Sequence, residues 1–483
     1  RAPWEKPRDP AEGKEASAET DPPEAAVETT TDAAESTAET VKVNVKPSSP
    51  PKGSSKPRGK QPGSPGHGRT QKLAITDTCE HRPKNCAACG EALAADAWSQ
   101  AYTAWDEIDI APQGEGRIGL MFSVTRHTLR EVGCPCGHVS RALHWRSAGE
   151  HEWHQVDLGE WRLVGPQLAG VIVFLALRLR LSRPRIREGL MELFGLMLSV
   201  GVIDETIREA GRASLPLEDL LVADLLQEPQ LNVDETSWPE NRLLLWLWAL
   251  VTPYTVLFLI GPRSAEMLEN ALQDGYPGTL ISDGYRVYRA WANRLRCWPH
   301  LMRKLRGLAE SSDGRVAGVG QEMEGLMQTL MDAIYAARID PPPEGLPFLY
   351  AADIERLQKR CEAHWSDGHS ALRSVAREFL YDWKVILRPL AEPHLPLSNN
   401  AAEQALRHWV IARTISHGTR SEAGSRAFAL LASVIETCRR RGASSWRYLG
   451  TVIRAARKGL EPVSYTHLRA HETDSYLVCR LLL

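Results

Sequence analysis

The chain has 483 residues, of which 43% are hydrophobic and 24% charged, and its formal net charge is −2. This composition is typical of a globular protein of two or three domains and excludes collagen-like, membrane and secreted mini-protein classes. The longest apolar run, Leu168–Leu177, ends at Arg178 and is too short to cross a bilayer. The nine cysteines are too few for a disulfide scaffold, and no signal peptide is visible, so we expect a fragment of a cytoplasmic protein.

The two ends of the chain are predicted to lie outside any folded domain. Residues 1–70 are rich in Pro, Ala, Glu, Ser and Thr and hold almost no large apolar side chain after Trp4. Such a segment cannot bury enough surface to offset its chain entropy, so we predict a disordered linker. Residues 463–483 share no sequence pattern with the preceding residues and resemble translated sequencing-adapter sequence. We predict a non-native tail.

Residues 71–156 hold short strand-like stretches and two close pairs of cysteines, each followed by glycine. The pairs are Cys86 with Cys89, and Cys134 with Cys136. Four thiolates suit tetrahedral zinc, and a small segment without a large core is stabilised by such a cross-link. The sequence therefore predicts a structural zinc site on these cysteines. His81 or His138 could replace one thiolate, and Cys79 is a spare.

The pattern then alternates between helical and strand-like blocks. Residues 157–226 are helical and could contain a helix-turn-helix, although an ordinary helical hairpin is the commoner structure. Residues 227–300 are strand-like, and the apolar runs flanking Pro253–Tyr254 predict a hairpin. Residues 301–392 are helical again, before two long helices within 393–460. Strands followed by helices predict an α/β catalytic core over 227–300 and 393–460, with 301–392 as a helical insertion.

Three acidic residues occur in separate motifs of this core. Asp234 lies in VDETSW, Asp283 in SDGYRVY and Glu403 in NNAAEQALR. Singly, each has a structural explanation. Asp234 could lie in a turn after a strand, Asp283 could form an Asp-Gly turn, and Glu403 could form a capping box with Asn400. Together, two aspartates at strand ends and a glutamate on a later helix can hold two magnesium ions, which favour carboxylate oxygens. Strand alternation does not decide between Asp234 and Glu235 as the first of these ligands.

A basic segment follows the last of these acids. Residues 405–460 contain eleven Arg and Lys against Glu422 and Glu436. Such a strip beside a metal-dependent nuclease site favours contact with DNA phosphates. The residues that we assign to DNA contact are Arg407, Arg413, Arg420, Arg439, Arg440 and Arg441.

The order of these motifs resembles the insertion sequence 66 family of bacterial DDE transposases. The resemblance runs from about Arg69 to Leu460 and rests on the cysteine pairs, VDETSW, SDGYRVYRAW, CWPHLMRKLRGLAE and the stretch from NNAAEQALRHWVIARTISHGTRSEAGSR to RRRGASSWRYL. It implies a ribonuclease-H-like core that follows a zinc-binding segment and a helical DNA-binding region. The implied catalytic triad is Asp234, Asp283 and Glu403, binding two magnesium ions, with manganese as the substitute, and the implied zinc ligands are Cys86, Cys89, Cys134 and Cys136.

The same resemblance implies the activity and the partners. The expected protein binds element ends and target DNA, catalyses magnesium-dependent strand cleavage and strand transfer, and acts in the bacterial nucleoid without a membrane. The expected partners besides DNA are further copies of the chain and small accessory proteins of the same element. The alternative is an inactive or domesticated element-derived DNA-binding protein, but the presence of all three acids favours the enzyme. Cys297 and His300 also match the family, and with only two ligands we favour a packing role over a separate metal site.

Overall fold

The computed structural model describes residues 71, 73–111, 119–142, 163–272 and 275–461. Strands and helices are both abundant there, so the mixed α/β class predicted from the sequence is confirmed. The predicted linker over 1–70 and the predicted non-native tail over 463–483 lie outside the described residues. Within the described part, no helix combines the length and the apolarity that crossing a membrane requires.

A small sheet around one long strand begins the described part of the chain. Its strands are β1 (Asp77–His81), β2 (Ser99–Ile110), β3 (Phe122–Gly133) and β4 (Val139–Arg141). Strand β3 pairs antiparallel with β2 and β4 and parallel with β1. The loop after β1 and the turn after β3 each carry one cysteine pair, and parallel pairing places these two strand ends side by side.

Four helices follow the sheet. They are α1 (Pro166–Val173), α2 (Arg183–Phe194), α3 (Val200–Ala213) and α4 (Leu217–Gln227). Helix α1 begins with a proline, whose missing N–H is not needed at that position, and a π-helical turn extends it through Phe174–Arg178. Helix α2 stops at Gly195, whose φ of 63° lies in the left-handed region that glycine adopts without strain. The described residues 166–227 are mainly helical, as the sequence predicts, and both the limits of this block and the helix-turn-helix alternative stay predictions.

A second, larger sheet carries the predicted acids. Its strands are β5 (Gln230–Glu240), β6 (Leu243–Val251), β7 (Val256–Gly261), β8 (Thr279–Ser282) and β9 (Arg294–Arg296), with the short helix α5 (Ala265–Ala271) between β7 and β8. The order in the sheet is β7-β6-β5-β8-β9. The first three strands form an antiparallel meander, and β8 and β9 join in parallel. The predicted hairpin at Pro253–Tyr254 is confirmed as β6 and β7.

Six helices follow β9 along the chain. They are α6 (Trp298–Ala309), α7 (Gly314–Ile339), α8 (Leu346–Leu349), α9 (Ala351–Ala363), α10 (Ser370–Tyr381) and α11 (Trp383–Ala391). They pack around a hydrophobic cluster of their own that includes Trp298, Met323 and Phe379. Buried charges join them to the sheet, because Asp382 pairs with Arg294 at 2.6 Å and also with Arg296.

Three long helices close the core. They are α12 (Asn400–Ser416), α13 (Glu422–Arg440) and α14 (Ser445–Arg457). Helix α13 protects the outer edge of the sheet, since the hydroxyls of Ser433 and Thr437 accept the backbone N–H groups of Phe258 and Val256 at 2.8 and 3.0 Å. These donors of edge strand β7 are therefore satisfied and closed to a further strand.

The first helical block shares one hydrophobic core with the large sheet and the closing helices. Helices α1 and α14 touch so closely at Gly170 that a Cβ there would collide with the backbone oxygen of Trp446. A buried ion pair also links α3 to α14, with Arg457 donating to both carboxylate oxygens of Glu209 at 2.8 and 2.9 Å. A buried ion pair of this kind holds the two helices in one register, because sliding them apart would leave both charges buried without a partner.

Candidate active site and zinc site

Strand β5 directs Asp234 towards helix α12. Successive residues of a strand point to opposite faces, so Asn232, Asp234 and Thr236 share one face. The two neighbours of Asp234 on that face both contact the α12 segment. Asn232 donates to the side-chain oxygen of Asn399 at 3.0 Å, and Thr236 accepts from Arg413 at 2.9 Å. Asp234 therefore faces the helix that carries Glu403.

Glu235, the alternative that the sequence left open, points to the opposite face of β5 and has its own partners. Its carboxylate accepts from Arg263 at 2.9 Å and from the hydroxyl of Tyr288. The Arg263 guanidinium lies between the rings of Trp246 and Tyr285, at 4.1 and 3.9 Å from their centres. Glu235 is thus held in a local ion pair, whereas the Asp234 side chain accepts the backbone N–H of Glu235 at 2.9 Å.

Asp283 follows the last residue of β8, the strand that runs parallel to β5. One of its oxygens accepts the backbone N–H of Tyr285 at 2.8 Å, which fixes the carboxylate in a tight turn. The turn has little room beside it, because a Cβ on Gly284 would collide with the side chains of Glu378 and Arg296. Helix α10 of the insertion thus reaches the edge of the loop that holds Asp283.

Glu403 lies in the first turn of α12, and Asn399 fixes the position of that turn. The fully buried Asn399 side chain donates to the backbone oxygen of Val233 at 2.8 Å, so the helix start is joined to the strand position next to Asp234. No side-chain hydrogen bond caps the described α12, so the capping-box explanation of Glu403 gains no support. Sequence reasoning considered Asn400 and missed Asn399, although the Asn-Asn pair before a helical run was the available signal.

Burial and three neighbouring acids act on the Asp234 carboxyl. Burial raises the pKa of the Asp234 carboxyl from 3.8 to about 7, and the negative charge of Asp283 is the next cause. Glu235 and Glu403 raise it further. A low-dielectric site that gathers like charges disfavours ionisation. Hard carboxylate oxygens in such a cluster fit magnesium or manganese, because a divalent cation removes the repulsion.

Cys297 and His300 border this cluster. The Cys297 sulfur accepts the backbone N–H of Asn399 at 3.3 Å and lies 3.2 Å from His300 Nδ1, which is 3.6 Å from Glu403. Cys297, His300 and Glu403 offer ligand atoms within 4.8 Å of one another. The sequence supplied only the Cys297–His300 pair, and the fold adds Glu403 from a distant helix. The preference for a packing role over a metal site stays a prediction.

The four predicted zinc ligands converge at the joined ends of β1 and β3. The Cys86 and Cys136 sulfurs are 3.7 Å apart, and the Cys89 and Cys134 sulfurs are 3.6 Å apart. Four sulfurs at about 2.3 Å from a tetrahedral zinc are separated by about 3.8 Å, so this spacing fits zinc and is far too long for disulfides. The backbone N–H of Cys89 is the main reason that the pKa of Cys86 falls to about 6, whereas neighbouring thiols help to raise the pKa of Cys89 and of Cys134.

The basic strip divides into residues with internal partners and residues without them. Arg413 donates to Thr236 and Ser237, Arg439 pairs with Glu436 at 2.6 Å, Arg440 donates to the backbone oxygen of Thr252 at 3.0 Å, and Arg441 pairs with Asp224 at 2.6 Å. Arg407 and Arg420 are exposed, and in the described part of the chain no ion pair involves either of them. The charge count of the segment therefore overstates the charge that faces solvent.

Comparison with known proteins confirms the resemblance found in the sequence. A family model described as Transposase IS66 family matches residues 162–427, which is more than half of the chain. The elements from α1 to α12, which include all three predicted acids, lie within the matched range, whereas α13 extends beyond it and α14 lies outside it. The chain belongs to the IS66 transposase family.

Two proteins of Sinorhizobium fredii (strain NBRC 101917 / NGR234) are also similar to the chain. Uncharacterized protein y4jO is 29% identical over 171 residues, which cover 35% of this chain and 51% of that protein. Uncharacterized protein y4qI is 22% identical over 303 residues, which cover 55% of this chain and 54% of that protein. The chain spans about half the length of the curated relatives that it matches.

Proposed function

We propose that the chain is a DNA transposase with a ribonuclease-H-like catalytic core in which Asp234, Asp283 and Glu403 bind two magnesium ions. The observation that supports the proposal is the placement of these acids, in a chain of this family, on a central strand, directly after a parallel neighbouring strand, and on a helix whose start is joined to the central strand. The domain limits in this proposal are those predicted from the sequence, including the core over 227–300 and 393–460 and the insertion over 301–392.

The chemistry follows from what carboxylates at such a site can hold. Two divalent ions, when bound, activate the attacking oxygen and stabilise the leaving oxygen of a phosphodiester exchange. Asp234 and Asp283 supply ligands from adjacent strands, and Glu403 supplies the third from α12. Asn399 positions Glu403 by tying the start of α12 to β5. In this scheme no side chain of the protein becomes covalently bonded to the DNA. Each strand cut therefore leaves a free hydroxyl for the joining step.

The proposal is tested with the full chain and a plasmid that carries the element with its flanking DNA. We expect strand cleavage at the element ends in magnesium or manganese, and none in the presence of a chelator. Binding of the same DNA without cleavage in either metal would instead identify the alternative, an inactive or domesticated element-derived DNA-binding protein. Copies of the chain on the ends, accessory proteins and a nucleoid location are further parts of the proposal.

We expect Arg407 and Arg420 to contact DNA phosphates, because both side chains are exposed on or just after the helix that carries Glu403. Changing both to Ala should weaken binding to all sequences and reduce the dependence of log K on log salt by about two units. The control is the pair Arg356→Ala and Lys359→Ala on α9, which removes the same charge from a helix of the insertion. An equal effect in both double variants would show that net charge alone is responsible.

We expect zinc at the four-cysteine site. Changing Cys89 and Cys134 together to Ser should lower the zinc content of the purified chain by one ion and lower its melting temperature. The loss of stability follows because the ion joins the loop after β1 to the turn after β3. Cys361→Ser, a buried cysteine of the insertion outside the cluster, controls for thiol loss and should leave the zinc content unchanged. Unchanged zinc in the double variant would contradict the assignment.

A further inference from the structure

The small N-terminal sheet brings together a second set of metal-binding side chains. Cys79 and His81 are two residues apart on β1 and so lie on one face of it. The parallel pairing of β1 with β3 sets Cys79 directly beside His127. A sulfur from Cys79 and ring nitrogens from His81 and His127 lie within 4.8 Å of one another. None of these residues belongs to the four-cysteine site.

The two imidazoles are held in place by an aromatic neighbour. Nε2 of His81 lies 3.0 Å from Nδ1 of His127. The Trp105 ring from β2 stacks on both, with centre separations of 4.5 Å to His127 and 5.5 Å to His81 and interplanar angles of 13° and 15°. Stacking on a rigid indole fixes the planes of the imidazole rings. It therefore fixes the directions in which their nitrogens point before any ligand arrives.

One nitrogen of this cluster has no partner. Nε2 of His127 is buried and makes no hydrogen bond within the described residues. Leaving a buried polar atom unsatisfied is unfavourable, so a ligand bound at this nitrogen would be stabilising.

We propose that Cys79, His81 and His127 form a second metal site, separate from the four-cysteine site, that binds a zinc ion through one thiolate and two imidazoles. One sulfur and two nitrogens suit zinc, and three protein ligands leave its fourth position open. All three residues are partly exposed, so water or an external donor can complete the coordination. The ion would join β1, a five-residue edge strand, to the central strand of the sheet.

The first test counts metal in the full chain after removal of loosely bound ions. We expect two zinc ions per chain in the parent and one in the Cys79→Ser variant. The control is His394→Gln, an exposed histidine outside both clusters, which should retain two ions. The Cys89→Ser, Cys134→Ser double variant should keep one ion and lose it when Cys79→Ser is added. A Cys79→Ser variant that holds as much zinc as the parent would overturn the proposal.

The second test needs no variant and so does not depend on the folding of one. X-ray absorption of the zinc-loaded parent should show a mixture of sulfur and nitrogen ligands, because one site has four thiolates and the other has two imidazoles. A spectrum with sulfur ligands alone, at one zinc per chain, would mean that the histidines form only a hydrogen-bonded pair. Neither test measures DNA cleavage, so failure here is distinct from failure of the transposase proposal.

Discussion

Replacing Glu403 by Gln is expected to reduce cleavage of element-end DNA in magnesium on the order of 1,000-fold or more, the scale seen when one member of a catalytic unit is removed. Gln keeps the length of the side chain and can cap a helix as Glu does, but its neutral amide is a poor ligand for magnesium. A helix-capping role predicts a small loss of stability and full cleavage, so the two roles give opposite results in one assay.

The control for this change is Glu422→Gln. Glu422 also begins a helix, α13, and its side chain is exposed, so its replacement should leave cleavage near the parental rate. DNA binding should survive in Glu403→Gln because Arg407 and Arg420 remain. Parental cleavage by Glu403→Gln would show that the third ligand is misassigned and would direct the search to Glu422 or Glu436. Of these, Glu436 already pairs with Arg178 and Arg439.

Because the acids act together, Asp234→Ala and Asp283→Ala should each remove nearly all cleavage, and the double change should add little. Such non-additivity distinguishes a shared metal site from three independent contributions to folding. If the acids contributed independently, the effects of the two single changes on the melting temperature and on the cleavage rate would add up in the double variant.

Replacing Asp234 by Asn is expected to stabilise the metal-free protein at pH 8 while it removes cleavage. The pKa of Asp234 is about 7 in the folded chain and 3.8 without the fold, so the folded state binds the proton more tightly. Stability contributed by this group therefore falls as pH rises from about 4 to about 7, and the ionised carboxylate is destabilising above that range. Asn carries no charge, so the gain at pH 8 should be on the order of 2–4 kcal/mol.

Thermal unfolding in a chelator, followed from pH 4 to pH 8, measures this effect. The difference between Asp234→Asn and the parent should be small at pH 4, grow through pH 7 and then level off. Magnesium should stabilise the parent and have little effect on the variant. The control is Asp224→Asn, which removes the partner of Arg441 and should lower stability at pH 8. A loss of stability in both variants at pH 8 would contradict the repulsion that we assign to Asp234.

Local patterns in the sequence were enough to predict the order of the elements. The apolar runs that flank Pro253–Tyr254 form the β6–β7 hairpin, and the helical block over 301–392 contains helices from α6 to α11. These predictions succeed because hydrophobic spacing and turn residues act over a few positions, and each element buries the face that its own spacing defines.

The choice between Asp234 and Glu235 depended on the tertiary structure. Alternation places them on opposite faces of β5, but only the packing of α12 on one face and of Arg263 and Tyr288 on the other tells which acid joins Glu403. The basic strip is a similar case, since Arg441 looks available for DNA in the sequence and pairs with Asp224 in the fold.

Local patterns indicate which elements form, and which cysteines and acids could bind metal. Which of those groups meet depends on how the elements pack. Asn399 contacts Val233 across 166 positions, and parallel pairing of β1 with β3 sets Cys79 beside His127. The physical reason is that local spacing fixes the face on which a side chain lies, whereas its partner depends on which element packs there. Which element packs there is determined by the burial of the whole core, and the residues of that core are too far apart in the chain to be seen in any short window of sequence.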